Sequence, residues 1–275
     1  MIETLISDIG KILEKYGLVY LTGMGNTLLL AVIATLIGCV IGFICGILQT
    51  IPCSPTDPLL KRVLLRVIRI VIRVYVEVFR GTPMILQAVF IYYGAPYFFG
   101  YNFSDIWTVS ILVVSINTGA YMAESVRGGI MSIDPGQSEG AKAIGMNHLQ
   151  TMLYVILPQT LRNILPQIGN NYIINVKDTS VMFIIGFQDF FAVHKMVSGA
   201  IFKYFPSAFL EMFGYLVMTL VASFLLRKME KKMAGRESYE LVNTDQLVMT
   251  AGTYNYPGKQ NPFDENNKDY EGEKS

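Results

Sequence analysis

Charged side chains are scarce in this sequence. Only 16% of the 275 residues are Asp, Glu, Lys or Arg, whereas 52% are hydrophobic. Soluble globular domains carry about 25% charged residues, so the composition excludes an ordinary soluble domain and predicts a protein of the lipid bilayer. The formal net charge is only +1, and we expect no nucleic acid partner.

Metal-ligating and redox residues are equally sparse. The three cysteines, Cys39, Cys45 and Cys53, form no CxxC pair and have no histidine nearby, which argues against a zinc site or a disulfide framework. The two histidines, His148 and His194, are isolated. A faint phosphate-loop pattern at 258–260 lacks the first glycine and the Ser or Thr of a Walker A motif. We therefore expect neither a metal nor a nucleotide site in this chain.

Apolar runs of the roughly 20 residues that a bilayer core requires are present instead. Four are plain, and they lie at Val19–Leu48, Ile70–Tyr93, Ile106–Val126 and Ala208–Leu226. A fifth run, about Asn170–Phe190, is weaker because its first half is polar. Basic clusters before the second run and after the last one should be cytoplasmic, and connecting them requires the fifth run to cross. We predict an all-α integral membrane protein with five transmembrane helices, its N-terminus outside and its C-terminus cytoplasmic.

The two ends of the chain differ from its middle. Residues 1–17 have apolar side chains on one helical face and charges elsewhere, which predicts an amphipathic helix in the outer interface. The transmembrane domain follows at 18–235. Residues 236–275 are poor in apolar residues, and we predict a disordered cytoplasmic tail there. The basic stretch between residues 50 and 73 predicts a helix on the anionic inner leaflet.

A polar loop at 134–158 carries the signals of two short helices. Asp134, Pro135 and Gln137 provide an N-cap, a proline at the first position and a capping-box partner for the first. Gly145 can end it, and Asn147 with Gln150 repeats the cap spacing for a second helix that Pro158 should limit. An apolar stripe then runs along the second helix, at Met146, Leu149, Met152, Leu153 and Ile156. Such a stripe needs either a partner's groove or a lipid surface.

Polar residues inside the apolar runs indicate a second functional region. Asn117, Tyr121 and Glu124 follow each other at helical spacing, and the fifth run contains Lys177 and Asp178. Two polar helices can share an interior whose amide, hydroxyl and charged groups suit an amino acid. Simpler explanations stay open, because Gly81-Thr82-Pro83 fits a helix kink and Glu124 could pair only with Arg127. Glycines at 38, 42 and 46 predict close helix packing.

The loop resembles the EAA loop of bacterial ABC importer permeases, with Gly140 in place of one Ala of the triplet. Three other stretches, at 79–94, 120–130 and 177–180, are similar to the polar amino acid branch of that family. The resemblance implies a type I permease fold and a dimer with an identical or homologous permease. It also implies an extracytoplasmic amino-acid-binding protein, membrane lipid around the spans, and ABC ATPase subunits that hold ATP and Mg²⁺. No cofactor is then expected in this chain, which would not itself be an enzyme.

Two sets of site residues follow from this resemblance. The predicted ATPase-coupling residues are Glu139, Ala141, Gly145, Met146, Leu149, Leu157 and Pro158. The predicted substrate-pathway residues are Gly81, Thr82, Gln87, Asn117, Tyr121, Glu124, Lys177, Asp178, Thr179 and Ser180. The implied function is import of a polar amino acid of the glutamine, glutamate, arginine or histidine class across the cytoplasmic membrane. A secondary transporter or channel subunit is the alternative, and a membrane scaffold or receptor subunit would use the same loop.

Overall fold

Helices account for all regular structure in residues 2–233, which are the residues that the computed structural model describes. The nine α-helices in this part of the chain have the following bounds: α1 Ile2–Thr50, α2 Leu59–Gly81, α3 Met84–Phe99, α4 Ile106–Met131, α5 Pro135–Ala143, α6 His148–Thr151, α7 Leu157–Asp178, α8 Phe190–Ile201 and α9 Tyr204–Met233. A π-helical turn, Met152–Ile156, joins α6 to α7, and a 3₁₀ segment, Thr179–Ile185, follows α7. The predicted tail lies outside the described residues.

Three of these helices, α1, α4 and α9, are long and apolar enough to cross a membrane. The segments around α7 and α8 become a fourth candidate if the pair, bent by 54°, is one span. The α2–α3 pair does not meet this criterion, because α3 has only 16 residues and α2 is rich in arginine. Helix length and composition therefore support the membrane character and three or four spans in the described residues.

Two predicted runs are interrupted, contrary to the simple count. The run at Ile70–Tyr93 is broken at Thr82, whose backbone is extended, because Pro83 cannot donate the next helical hydrogen bond. The run at Asn170–Phe190 holds the end of α7, the 3₁₀ segment and a loop. Conversely, α1 continues without a break through residue 17, where an interfacial helix was predicted to end. Its placement in the outer interface stays a prediction.

The predicted close packing of α1 is confirmed, and α4 is the partner. A β-carbon on Gly38 would lie 2.7 Å from Thr118 Cβ, and one on Gly46 would lie 2.6 Å from Val126 Cγ1. Only glycine permits this approach, which buries Val126 and Met122 of α4 completely. We call the contact of Gly38, Gly42 and Gly46 with α4 the glycine seam.

Gly42→Ala should lower the thermal unfolding midpoint of the purified protein. Its new β-carbon would meet Met122 and lie 2.8 Å from the Met122 carbonyl carbon, so α1 and α4 must separate. Overpacking of this kind typically costs about 1–3 kcal/mol. Gly25→Ala is the matched control, because nothing lies within 4 Å of its added carbon. Equal midpoints for the two variants would contradict the seam.

The basic stretch before α2 forms a short turn and then the start of that helix. Ser54 N donates a hydrogen bond to Asp57, and Lys61 Nζ lies 2.9 Å from the same carboxylate. The hydrogen bond from Lys61 is the main reason that the pKa of Asp57 falls below its usual value. The predicted helix is thus present from Leu59.

Candidate functional site: two clefts and a polar loop

The break between α2 and α3 is held open by side-chain hydrogen bonds. In a regular helix the Phe79 carbonyl would accept from the N–H four residues later, but that residue is Pro83. Gln87 Nε2, 2.9 Å away, and Asn117 Nδ2, 3.1 Å away, donate to it instead. Gln87 Nε2 also donates to the Thr82 carbonyl. Gln87 therefore stabilises the geometry of the break.

Gln87→Met should destabilise the break while nearly preserving side-chain volume. Gln87 is buried, and its loss leaves the Thr82 carbonyl and one N–H of Asn117 without these partners. An unsatisfied buried polar group costs about 1–3 kcal/mol, which a thermal melt in detergent would detect. Gln167→Met serves as the control, since Gln167 is exposed and no side-chain hydrogen bond is formed by it within residues 2–233. A melt unchanged by Gln87→Met would argue against this role.

A cleft with a cavity volume of ≈ 460 Å³ opens beside the break, and we call it the break-point cleft. Its lining comes from α2, α3, α4 and α7: Arg80, Gly81, Thr82, Pro83, Met84, Asn117, Thr118, Tyr121, Asn171, Ile174, Asn175 and Asp178. Eight of these twelve residues have polar side chains, and they include one cation and one carboxylate. Such a lining can bind a small polar molecule that carries both charges.

Buried amides fix the wall of the break-point cleft. Asn175 Nδ2 donates to Thr35 Oγ1 of α1 at 2.8 Å and to Thr118 Oγ1 of α4 at 3.0 Å. Asn171 Nδ2 donates to the Gln167 carbonyl at 3.0 Å. Both asparagines are 5% exposed. These bonds tie α7 to α1 and α4, so the cleft is supported by three helices.

The two charged residues of the break-point cleft differ in their partners. Arg80 forms an ion pair with Glu124 of α4, and its guanidinium lies 5.3 Å from the centre of the Tyr121 ring. Asp178, at the last position of α7, makes no ion pair or side-chain hydrogen bond with any residue that the structure describes. Asp178 is exposed toward the cleft side of this single chain. A carboxylate at a helix C-terminus is disfavoured by the helix dipole, and acidic residues inside membrane proteins commonly mark a substrate or ion pathway.

Five of the ten predicted pathway residues line this cleft: Gly81, Thr82, Asn117, Tyr121 and Asp178. Gln87 does not line the cleft but donates to the Phe79 carbonyl at the break, and Glu124 lines a different cleft. Lys177 is exposed outside the lining, Thr179 is buried and donates to the Val176 carbonyl, and Ser180 is half-buried. The interpretation that Glu124 pairs only with Arg127 is wrong, because Arg80 is its main partner.

Sequence reasoning omitted Arg80, Thr118, Asn171 and Asn175 from the predicted site. A signal was available for α7, because Asn171, Asn175 and Asp178 recur at spacings of four and three and share one helical face. Arg80 stands beside Gly81 in the sequence, but only its packing against α4 reveals its position.

Glu124 lines a second cleft of ≈ 460 Å³, which we call the arginine cleft. The lining comes from the end of α1, from α2 and from α4: Gln49, Arg69, Arg73, Val76, Glu77, Glu124 and Arg127. Arg127 Nη2 lies 3.9 Å from Glu124.

The polar loop forms two capped helices, as predicted, but the cap of the first helix differs from the prediction. Asp134 accepts from Gly136 N, but Gln137 makes no capping box, since its Oε1 accepts from Gln159. Gly145, with φ 85°, ends α5, and Asn147 and Gln150 form the full capping box of α6.

Pro158 does not limit the second helix. The chain passes through the π-helical turn into α7, in which Pro158 occupies an N-terminal position. The wider turn avoids the clash that proline makes with the carbonyl four residues earlier in a regular helix. The helical path from His148 to Asp178 is therefore continuous.

The predicted apolar stripe is divided by this turn. Met152 and Ile156 are buried within the chain, whereas Leu149 and Leu153 are exposed. Ile144 and Tyr154, which the sequence analysis did not include, are the most exposed apolar residues of the loop. We call Ile144, Leu149, Leu153 and Tyr154 the loop apolar patch.

The other predicted coupling residues surround this patch. Glu139 and Pro158 are exposed, Met146 and Leu157 are half-buried, and Ala141 is buried with its carbonyl accepting from Met146 N. An exposed apolar surface next to a rigid capped turn is typical of a docking site.

The sequence is similar to a family of transport proteins and to several of its members. Residues 59–235 match the family described as binding-protein-dependent transport system inner membrane component. The glutamine transport system permease protein GlnP of Escherichia coli (strain K12) is 39% identical over 160 residues, 58% of this chain and 73% of the relative. The arginine transport system permease protein ArtQ of Bacillus subtilis (strain 168) is 29% identical over 79% of this chain and 93% of the relative.

A solved structure shows the same fold. The crystal structure of an amino acid ABC transporter with histidines aligns with a TM-score of 0.69 and 34% identity, over 80% of this chain and 96% of that one. The resemblance to polar amino acid permeases is thus confirmed. The chain is a multi-pass protein of the cytoplasmic membrane, and it belongs to the family of inner membrane components of binding-protein-dependent transport systems.

Proposed function

We propose that this chain is a permease subunit of an ATP-driven importer and that the break-point cleft binds a polar amino acid as a zwitterion. The observation that carries the proposal is the unpaired carboxylate of Asp178 in a cleft that also contains Arg80. Asp178 would bind the α-ammonium group, and Arg80, while keeping its ion pair with Glu124, would donate its remaining N–H groups to the α-carboxylate. The asparagine side chains of the cleft can then select for a polar side chain.

The interrupted helices support the same assignment of charges. α7 ends at Asp178, so the negative end of its dipole adds to the attraction for a cation. α3 begins at Met84, a lining residue, and the positive end of its dipole favours a carboxylate. Transporters commonly place substrate sites where spanning helices are broken in this way.

A five-span topology with the N-terminus outside and the C-terminus cytoplasmic accompanies this proposal. The spans would be α1, the broken α2–α3 pair, α4, the bent α7–α8 path and α9. The basic residues at the start of α2 and the end of α9 support a cytoplasmic position for both ends. This arrangement also places the loop between α4 and α7 in the cytoplasm.

The loop apolar patch would dock into a groove on an ABC ATPase, which would hold ATP and Mg²⁺. Together with Glu139, Gly145 and the neighbouring predicted residues, it would transmit the ATPase cycle to α7 through the π-helical turn. An extracytoplasmic binding protein would deliver the amino acid, and a second identical or homologous permease would complete the path. The names of the relatives point to glutamine or arginine as the first substrates to test.

Uptake by reconstituted vesicles tests this function directly. The permease, its ATPase and the binding protein would be placed in proteoliposomes and given radiolabelled L-glutamine, L-arginine or L-histidine. We expect accumulation of at least one of them only with enclosed ATP. Accumulation that needs an ion gradient and no ATP would instead identify a secondary transporter.

A further inference from the structure

The charged side chains of the arginine cleft are not explained by the neighbouring break-point cleft. Arg69, Arg73 and Glu77 are spaced by four residues on α2 and therefore lie on one face. Neither Arg73 nor Glu77 has an ion-pair partner within residues 2–233. Arg69 donates through Nη2 to the Ile51 carbonyl, while its Nε is buried without a hydrogen-bond partner.

The other two charged residues of this cleft, Glu124 and Arg127, have charged neighbours within the chain. Glu124 binds Arg80 and lies near Arg127. The groups left for a ligand are thus the two guanidinium groups of Arg69 and Arg73 and the carboxylate of Glu77. Their chemistry suits a molecule with a carboxylate, bound by the arginines, and an ammonium group, bound by the glutamate.

The Arg80–Glu124 ion pair stands between the two clefts. Arg80 lines the break-point cleft, Glu124 lines the arginine cleft, and their contact joins α2 to α4. The arginine cleft lies on the side of the chain where α1 ends and α4 approaches its last turn. In the proposed topology this is the cytoplasmic side.

We infer that the arginine cleft is a second amino acid site, which receives the zwitterion on the cytoplasmic side of the Arg80–Glu124 pair. The inference rests on the proposed function, because it assigns the same ligand class to a cleft further along the path. The cavity of ≈ 460 Å³ lies within the range of about 300–1,000 Å³ that is usual for small-molecule sites. Opening the ion pair would connect the two sites.

Binding stoichiometry distinguishes the two sites. The full permease with its ATPase, in lipid nanodiscs, would be titrated with radiolabelled L-glutamine, L-arginine and L-histidine by equilibrium dialysis. For at least one of them we expect a second molecule per chain in the wild type, and a single one in Arg73→Gln and in Glu77→Gln. Asp178→Asn should lose the other site and keep this one. Arg66→Gln is the matched control, because it removes the same charge from α2 outside both clefts.

The outcomes separate this inference from the proposed function. One molecule per chain in the wild type, lost in Asp178→Asn but not in Arg73→Gln, would overturn the second site and leave the proposed function standing. No binding of any of the three amino acids to the wild type would overturn both. Loss of the second molecule in Arg73→Gln but not in Glu77→Gln would show a plain anion site and would overturn the zwitterion assignment. A thermal melt of each variant checks that it is folded.

Discussion

Asp178→Asn should weaken amino acid binding to the break-point cleft by about 30-fold or more. Asp178 is exposed in the free chain and would be desolvated once the amino acid covers it. Removing one partner of such a buried charge pair costs about 2–5 kcal/mol, and 2 kcal/mol already corresponds to about 30-fold in Kd. The substituted amide keeps the size of the carboxylate and can still accept a hydrogen bond, so the change isolates its charge. ATP-driven uptake of the same amino acid should fall at subsaturating concentrations.

Two comparisons identify the ammonium group as the partner of Asp178. The deaminated analogue of the amino acid should bind the wild type and Asp178→Asn with similar, low affinity, because it lacks that group. Lys177→Gln, which removes the neighbouring charge outside the cleft lining, should not weaken binding. If Asp178→Asn binds the intact amino acid as tightly as the wild type does, Asp178 is not the ammonium site.

Leu149→Lys should abolish recovery of the ATPase with this permease from mild detergent. Leu149 is 66% exposed in the loop apolar patch, so the substitution removes little packing within the chain. In a docked complex it would replace an apolar anchor with a desolvated charge. Loss of such an anchor often costs at least about 2 kcal/mol of binding free energy, which a pull-down registers as complete loss.

Leu59→Lys is a suitable control for this experiment. Leu59 is similarly exposed, at 68%, and begins α2, away from the loop. It should recover the ATPase as the wild type does. Equal recovery with Leu149→Lys would move the docking surface away from the patch. Substitution of Gly145 is a less direct test, because its φ of 85° strains any larger side chain and would distort the turn itself.

The sequence predicted most of the local structure, because short-range signals determine it. The N-cap at Asp134, the glycine end at Gly145 and the capping box of Asn147 are all decided within five residues. Composition decided the membrane class, and the four-residue repeat of glycines predicted close packing. These features depend on few neighbours, so one sequence is sufficient.

Long-range geometry could not be predicted in the same way. The break at Thr82 needs Gln87 and Asn117 to satisfy the Phe79 carbonyl, and the second of these comes from another helix. The pairing of Glu124 with Arg80, and not chiefly with the nearby Arg127, likewise depends on how α2 crosses α4. The π-helical turn places two of the five residues of the apolar stripe, Met152 and Ile156, inside the chain, which a regular period of 3.6 residues does not predict.

The glycine seam restricts how this subunit can alternate between its conformations. Backbones at contact distance cannot slide along each other, because a shift by one residue would push the β-carbons of α1 into Met122 and Val126. Helices α1 and α4 should therefore move as one rigid unit. The hinges of the transport cycle are then expected at the interrupted helices, beside Thr82 and after Asp178. The segments that bend during transport would therefore be the same segments that bind the amino acid.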